Sequence, residues 1–102
     1  MNVITRKRIV TFIERHRDAG PALEQWYRTA RKARWESIQD VRIVYPHADA
    51  VQVASGNTVT VFNIGGGKYR MATAIHYNAQ RVYVLRIMTH AEYDKGRWKD
   101  TL

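Results

Sequence analysis

The sequence has no cysteine and few acidic residues, and both shortages exclude whole classes of protein. Without cysteine there is no disulfide staple and no thiolate metal site. The four histidines, His16, His47, His76 and His90, stand too far apart for the short spacings of a zinc motif, so no metal is expected. No apolar run approaches the roughly 20 residues that a membrane span needs. The opening "MNVITRKR" turns basic by Arg6, before the apolar stretch of a signal peptide develops. A cytoplasmic, unanchored protein without a cofactor is the expectation.

What is present is basic and able to fold. Seventeen Lys and Arg against nine Asp and Glu leave a net charge of +8, which attracts polyanions by counterion release; nucleic acid is the commonest such partner. The 102 residues, 45% of them hydrophobic, suit one domain spanning 1–102 with a sufficient core. Membrane-surface binding is disfavoured, because Trp and Phe fall at core-like spacings.

Along the chain "MNVIT" reads as a short opening strand. Thr5 then N-caps a first helix in which Ile9, Phe12, Ile13 and His16 repeat at i, i+3, i+4, i+7. "DAGP" interrupts it, and Pro21 suits the first turn of a second helix with Leu23, Trp26, Tyr27 and Ala30 on its apolar stripe. "SIQD", residues 37–40, matches a capping box with Asp in place of Glu, opening a third helix that buries Ile38, Val41 and Tyr45 and stops at Pro46. The period then changes to 2. "VQVA", "TVTVFNI", "KYRMATAIHYN" and "RVYVLRIMT", separated by "SGN", "GGG" and "NAQ", predict an antiparallel meander, hence an α+β fold with the sheet packed on N-terminal helices.

Alternation puts Tyr69, Met71, Thr73, Ile75 and Tyr77 on one face of the third strand of the meander, and Tyr83, Leu85 and Ile87 on one face of the last. These bulky sets are expected under the helices. That choice requires a three-residue loop, Asn78-Ala79-Gln80, with Tyr77 opposite Arg81, Arg70 opposite Met88 and Ala72 opposite Arg86. Arg70, Arg86 and His90 then share the face away from the helices. A two-residue loop would slip the register and separate Arg86 from Arg70.

Each of these residues also has a structural reading. Arg86 can pair with Glu92 or Asp94. His76 fits a cross-strand surface position. Thr89 and Glu92 in "THAE" form a capping box for a short terminal helix, with His90 as its first residue. "GGG" at 65–67 opens a strand rather than a helix, so it reads as a hairpin turn and not a phosphate cradle.

The stretch "FNIGGGKYRMATAIHYNAQRVYVLRIMTHAEYDKGRWK" resembles the C-terminal half of the HigB-type toxins of bacterial toxin–antitoxin systems, within the wider RelE/ParE group. The likeness extends back through both helices to "MNVIT". Its most specific pieces are "FNIGG", "KYR" and "MTHAEYDK"; Gly67 stands where Asn is expected in many relatives. The resemblance implies a small RelE-like fold. It also implies metal-independent mRNA cleavage, usually on translating ribosomes, blocked by a HigA-type helix-turn-helix antitoxin in an oligomeric complex. By motif it carries Lys68, Arg70, His90, Tyr93 and Lys95 over as functional positions.

The chemistry so implied assigns roles. Ribose 2′-OH attack on phosphorus needs proton transfer, for which His90 is the first choice, and fixed donors for the phosphate oxygens, supplied by Arg70 with support from Arg86. Tyr93 stacks on a base or shares the proton transfer, Lys68 and Lys95 hold flanking phosphates, and Asp94 orients a cation or His90. Two other readings stay open: a non-catalytic RNA- or ribosome-binding module, and a ParE-like toxin directed at gyrase. The basic helix residues Arg28, Arg31, Lys32 and Arg34 face ribosomal RNA, an acidic antitoxin surface or solvent.

Overall fold

The change of period near residue 48 divides the chain as expected. The computed structural model describes residues 1–102. It comprises β1 (Asn2–Ile4), α1 (Arg6–Arg15), α2 (Gly20–Lys32), α3 (Ile38–Val44), β2 (Asp49–Gln52), β3 (Thr58–Ile64), β4 (Tyr69–His76), β5 (Arg81–Thr89) and α4 (His90–Lys95). The five strands form one sheet in the order β1-β5-β4-β3-β2. Strands β2 to β5 are the antiparallel meander. Strand β1 departs from the all-antiparallel expectation: it lies parallel to β5, with Asn2, Val3 and Ile4 opposite Arg81, Val82 and Tyr83. The sheet is therefore mixed within an α+β fold.

Two of the expected caps are replaced by other contacts. Thr5 makes no capping bond and adopts a left-handed φ of 70°. Its hydroxyl instead donates to the Val84 carbonyl (2.9 Å) and accepts from the Val84 N–H (3.0 Å). One side chain thus continues the β1–β5 pairing one step beyond the strand. At α3 the Ser37 hydroxyl does not cap, while the Asp40 carboxylate accepts from the Glu36 N–H at 2.9 Å. Pro21 does occupy the first turn of α2.

The main core lies between the helices and one sheet face. Phe62 is its hub, with ring centroids 5.4 Å from both Trp26 and Tyr45 and 6.2 Å from Trp35. Ile9, Leu23, Val41 and Met71 surround it, all fully buried. Each such side chain contributes about 1.5–3 kcal/mol by leaving water. The opposite sheet face is not bare: Val53, Val59, Val61, Ala72 and Met88 form a smaller cluster under Trp98, which is 4% exposed. Trp98 sits in a 3-10 turn at Arg97–Asp100, pinned by the Ala54 N–H donating to the Lys99 carbonyl at 2.9 Å.

The β4–β5 hairpin corrects the expected loop. It spans four residues, 77–80, with His76 rather than Tyr77 opposite Arg81. Farther along, Thr73 pairs with Val84 but Ala72 with Arg86, so Leu85 is an unmatched bulge residue. The extra loop residue slips the register by one and the bulge slips it back. Arg70 therefore does face Met88, and Ala72 faces Arg86. Between loop and bulge the faces of β5 are exchanged relative to expectation. Val82 and Val84 enter the main core, Leu85 joins the outer cluster, and the Tyr83 ring lies 5.2 Å from His76 on the exposed side.

Candidate active site

The start of β4 and the end of β5 lie side by side, and the turn before one and the helix after the other bring the chemistry together. Gly65, Gly66 and Gly67 all take positive φ (62°, 67° and 93°), forming the hairpin turn read from the sequence. The Gly67 carbonyl accepts a hydrogen bond from Arg70 Nη1, and the Tyr69 carbonyl lies 3.4 Å from the same nitrogen. Nε and Nη2 of Arg70 have no protein acceptor, so one edge of the guanidinium is held and the other is free. The sequence treated Gly67 as a turn residue only; its role in holding Arg70 was missed.

Strand β5 ends in a capping box formed as expected. The Glu92 N–H donates to Thr89 Oγ1 and the Thr89 N–H to Glu92 Oε1, each at 3.2 Å. The box fixes the start of α4, and the His90 N–H donates to the Lys68 carbonyl at 3.1 Å. His90 Nδ1 lies 2.8 Å from Asp94 Oδ2 one turn along, both side chains more than half exposed. Nε2 has no protein partner.

Tyr93, on the same helix, joins Arg70 to the outer cluster. The Arg70 guanidinium lies 5.5 Å from the Tyr93 ring centroid, and Tyr93 stacks on Trp98 at 5.3 Å with 21° between planes. Trp98 Nε1–H donates to the Tyr93 carbonyl at 3.1 Å. Burial pushes the Tyr93 phenol above its usual pKa; Asp49 and Asp94 push the same way and Arg70 opposes them. The phenol is kept protonated, which suits a proton donor or a stacking platform and not a base. Trp98 was overlooked because the residues it covers around β2 and β3, Val53, Val59 and Val61, lie far before it in the sequence.

Lys68 is engaged. Its ammonium pairs with the carboxylate of Asp18, from the turn between α1 and α2, and Tyr69 Oη donates to the other oxygen at 2.7 Å. The hydrogen bonds from Lys68 and Tyr69 hold the Asp18 carboxyl below its ordinary pKa, and Asp18 in turn raises both Lys68 and Tyr69. Asp18 lies 50 residues before Lys68, beyond the reach of any local pattern.

Arg86 pairs with neither Glu92 nor Asp94; its Nη1 donates to Thr101 Oγ1 at 2.7 Å. It borders a shallow depression of about 290 Å³ with Met88, Glu92, Lys95, Arg97 and Trp98. The structure thus links Arg70 to Tyr93 and His90 to Asp94, sets Lys68 beside them, and places Arg86 and Lys95 around the adjoining depression. No group of three His, Cys, Asp or Glu side chains is arranged to hold a metal ion. No helix is long and apolar enough to cross a membrane.

This combination of a half-tethered arginine, a carboxylate-braced histidine and a protonated tyrosine can bind a phosphodiester and move protons at its oxygens. Comparison with known proteins is consistent with such chemistry. A profile of the HigB toxins, described as the RelE-like toxic component of a toxin–antitoxin system, matches residues 19–96. The mRNA interferase toxin HigB of Escherichia coli K12 is 27% identical over 94 residues, covering 92% of this chain and 88% of that protein. The mRNA interferase HigB of Shigella flexneri matches to the same extent. That of Escherichia coli O6:H1 is 25% identical over 95 residues, 93% of this chain and 90% of its own length.

Proposed function

Because this chain belongs to the HigB toxin family of RelE-like toxic components, we propose that it is an mRNA interferase that cleaves by metal-independent transesterification on translating ribosomes. A HigA-type helix-turn-helix antitoxin restrains it in an oligomeric toxin–antitoxin complex, and both act in the cytoplasm as one-domain and partner chains. The coarse part of this reading, a toxin that is an endoribonuclease acting on mRNA, rests on the family match and on the relatives named as mRNA interferases.

The observation that carries the mechanism is the pairing of His90 with Asp94 on α4, the helix whose Tyr93 ring lies against Arg70. The ribose 2′-oxygen attacks the adjacent phosphorus, its proton leaves, and the P–O5′ bond breaks, giving a 2′,3′-cyclic phosphate and a 5′-hydroxyl. His90, exposed and presenting Nε2, transfers a proton; Asp94 fixes its ring orientation through Nδ1. The free edge of Arg70 meets the charge growing on the non-bridging oxygens. Tyr93 presents its ring to a base or its O–H to an oxygen. Lys95 and Arg86 hold a flanking phosphate, and Lys68 does so when it exchanges Asp18 for one.

The test is a translation reaction with purified protein and a defined mRNA, mapping new 5′ ends for wild type, His90→Ala and Arg70→Ala, with ribosome-free RNA in EDTA alongside. Cuts confined to translating ribosomes and lost in both variants are expected. Cuts in free RNA would remove the ribosome from the reading. Intact mRNA with folded protein would overturn it and favour binding alone or a gyrase target.

A further inference from the structure

The candidate site leaves most of the positive charge unused. Among seventeen Lys and Arg, Arg6 and Lys68 are the two held in ion pairs, with Glu24 and Asp18. A depression of about 570 Å³, larger than the one beside Lys95, lies between α1 and the outer edge of β5. Its cause is topological. Strand β1 covers β5 only from Arg81 to Tyr83, and the Thr5 hydroxyl closes the ladder at Val84. Beyond Val84 no strand lies along that edge, and α1 crosses above the gap.

The charges around this groove have one sign. Lys7, Arg8 and Arg15 on α1 are exposed and in no ion pair, Arg86 projects from β5, and no carboxylate lines it. Phe12 and Ile87 supply an apolar floor. Arg86 also borders the depression that holds Lys95 and Arg97, so the two concavities share a wall.

We propose that the α1–β5 groove is a second RNA subsite, in which Lys7, Arg8 and Arg15 hold backbone phosphates of the single strand continuing from the candidate active site across Arg86. This rests on the mRNA-cleavage reading for its choice of polyanion and extends it to a strand path. The ligand chemistry is a run of phosphodiesters: cations distributed along an open groove suit successive phosphates, whereas one compact anion would engage only part of them. An acidic protein segment is the competing occupant, and the probe decides against or for it.

The experiment uses the full chain and 2′-O-methyl RNA, which binds but lacks the attacking hydroxyl. Binding is followed by fluorescence anisotropy across a salt series for a trinucleotide and for a strand of about twelve nucleotides. The variant is the triple K7Q/R8Q/R15Q, and the control removes equal charge elsewhere, R28Q/K32Q/R34Q. Circular dichroism melts verify that both are folded. The groove variant is expected to lose at least about tenfold in affinity for the long strand near 0.1 M salt, with the slope of log K against log salt reduced by about 2. Trinucleotide binding should be unchanged, and the control should keep most long-strand affinity. Unchanged long-strand binding, an equal loss for the trinucleotide, or an equal loss in the control would each overturn the subsite. Cleavage of natural mRNA is scored separately. A wild type that shows this length-dependent binding but never cuts supports the groove and removes the nuclease reading.

Discussion

Asp94 braces His90: its Oδ2 lies 2.8 Å from the imidazole Nδ1, one helical turn along α4, leaving Nε2 as the nitrogen without a protein partner. If His90 moves a proton in the reaction, His90→Ala should lower the single-turnover cleavage rate by about 10²–10⁴. Affinity for 2′-O-methyl RNA should stay nearly constant. Asp94→Asn should give a smaller loss, with the rate and not the affinity affected. Equal losses of rate and affinity in His90→Ala would assign this residue to binding.

The phenol of Tyr93 is raised above its ordinary value of about 10, chiefly by burial. It therefore stays protonated at neutral pH. Tyr93→Phe should leave the shape of the pH–rate profile below about pH 9 unaltered. It preserves the ring between Arg70 and Trp98, so it should cost less activity than Tyr93→Ala. An alkaline limb that disappears in the Phe variant would contradict this.

The Lys68–Asp18–Tyr69 clasp has a pH window set by its shifts. Asp18 is depressed, so its contribution to stability is present above the unfolded carboxyl value near 4 and is lost as pH falls through the lower folded value. Lys68 is raised, so its contribution is complete below about 10.4 and is lost as pH rises through the higher folded value. Asp18→Asn should lower the melting temperature slightly between about pH 5 and 9, with the difference shrinking at either extreme. The same variant frees the Lys68 ammonium and should tighten RNA binding. A melting difference that is flat from pH 2 to 11 would assign no role to the ionised pair.

Gly67 combines a φ of 93° with close approach to Arg70: an added Cβ would meet Nη1 at 3.4 Å. Gly67→Ala should destabilise by about 1–2 kcal/mol, from the left-handed backbone, and disturb Arg70 as well. Gly67→Asn should be milder in a denaturant titration, because Asn tolerates positive φ better. Equal destabilisation by Ala and Asn would place the cost in space rather than in backbone conformation.

The pattern of residues carried much of this architecture and less of its detail. Strands β3 and β5 coincide with "TVTVFNI" and "RVYVLRIMT", and the Thr89–Glu92 box forms as its spacing dictated. The pairing of Arg70 with Met88 was reached through a loop one residue too short and a missing bulge, two errors that cancel. Nothing local marks Leu85 as the bulge, since Val82 to Leu85 are an unbroken apolar run that suits either face. Thr5 has the composition of a cap but spends its hydroxyl on Val84, 79 residues away. Asp18, Trp98 and the parallel seat of β1 were hidden for the same reason: each depends on a partner distant in sequence.

Seating β1 against Arg81–Tyr83 also orders events during synthesis. The first strand has no neighbour until the last strand has been made, so a growing chain holds its amino-terminal segment unpaired while the helices and the meander assemble. Closing a loop over such a separation costs more chain entropy than closing any hairpin of the meander. Fragments that stop before residue 81 lack both that closure and every group from Arg86 to Lys95. The groups proposed for cleavage can therefore come together only after β5 and α4 have both been made.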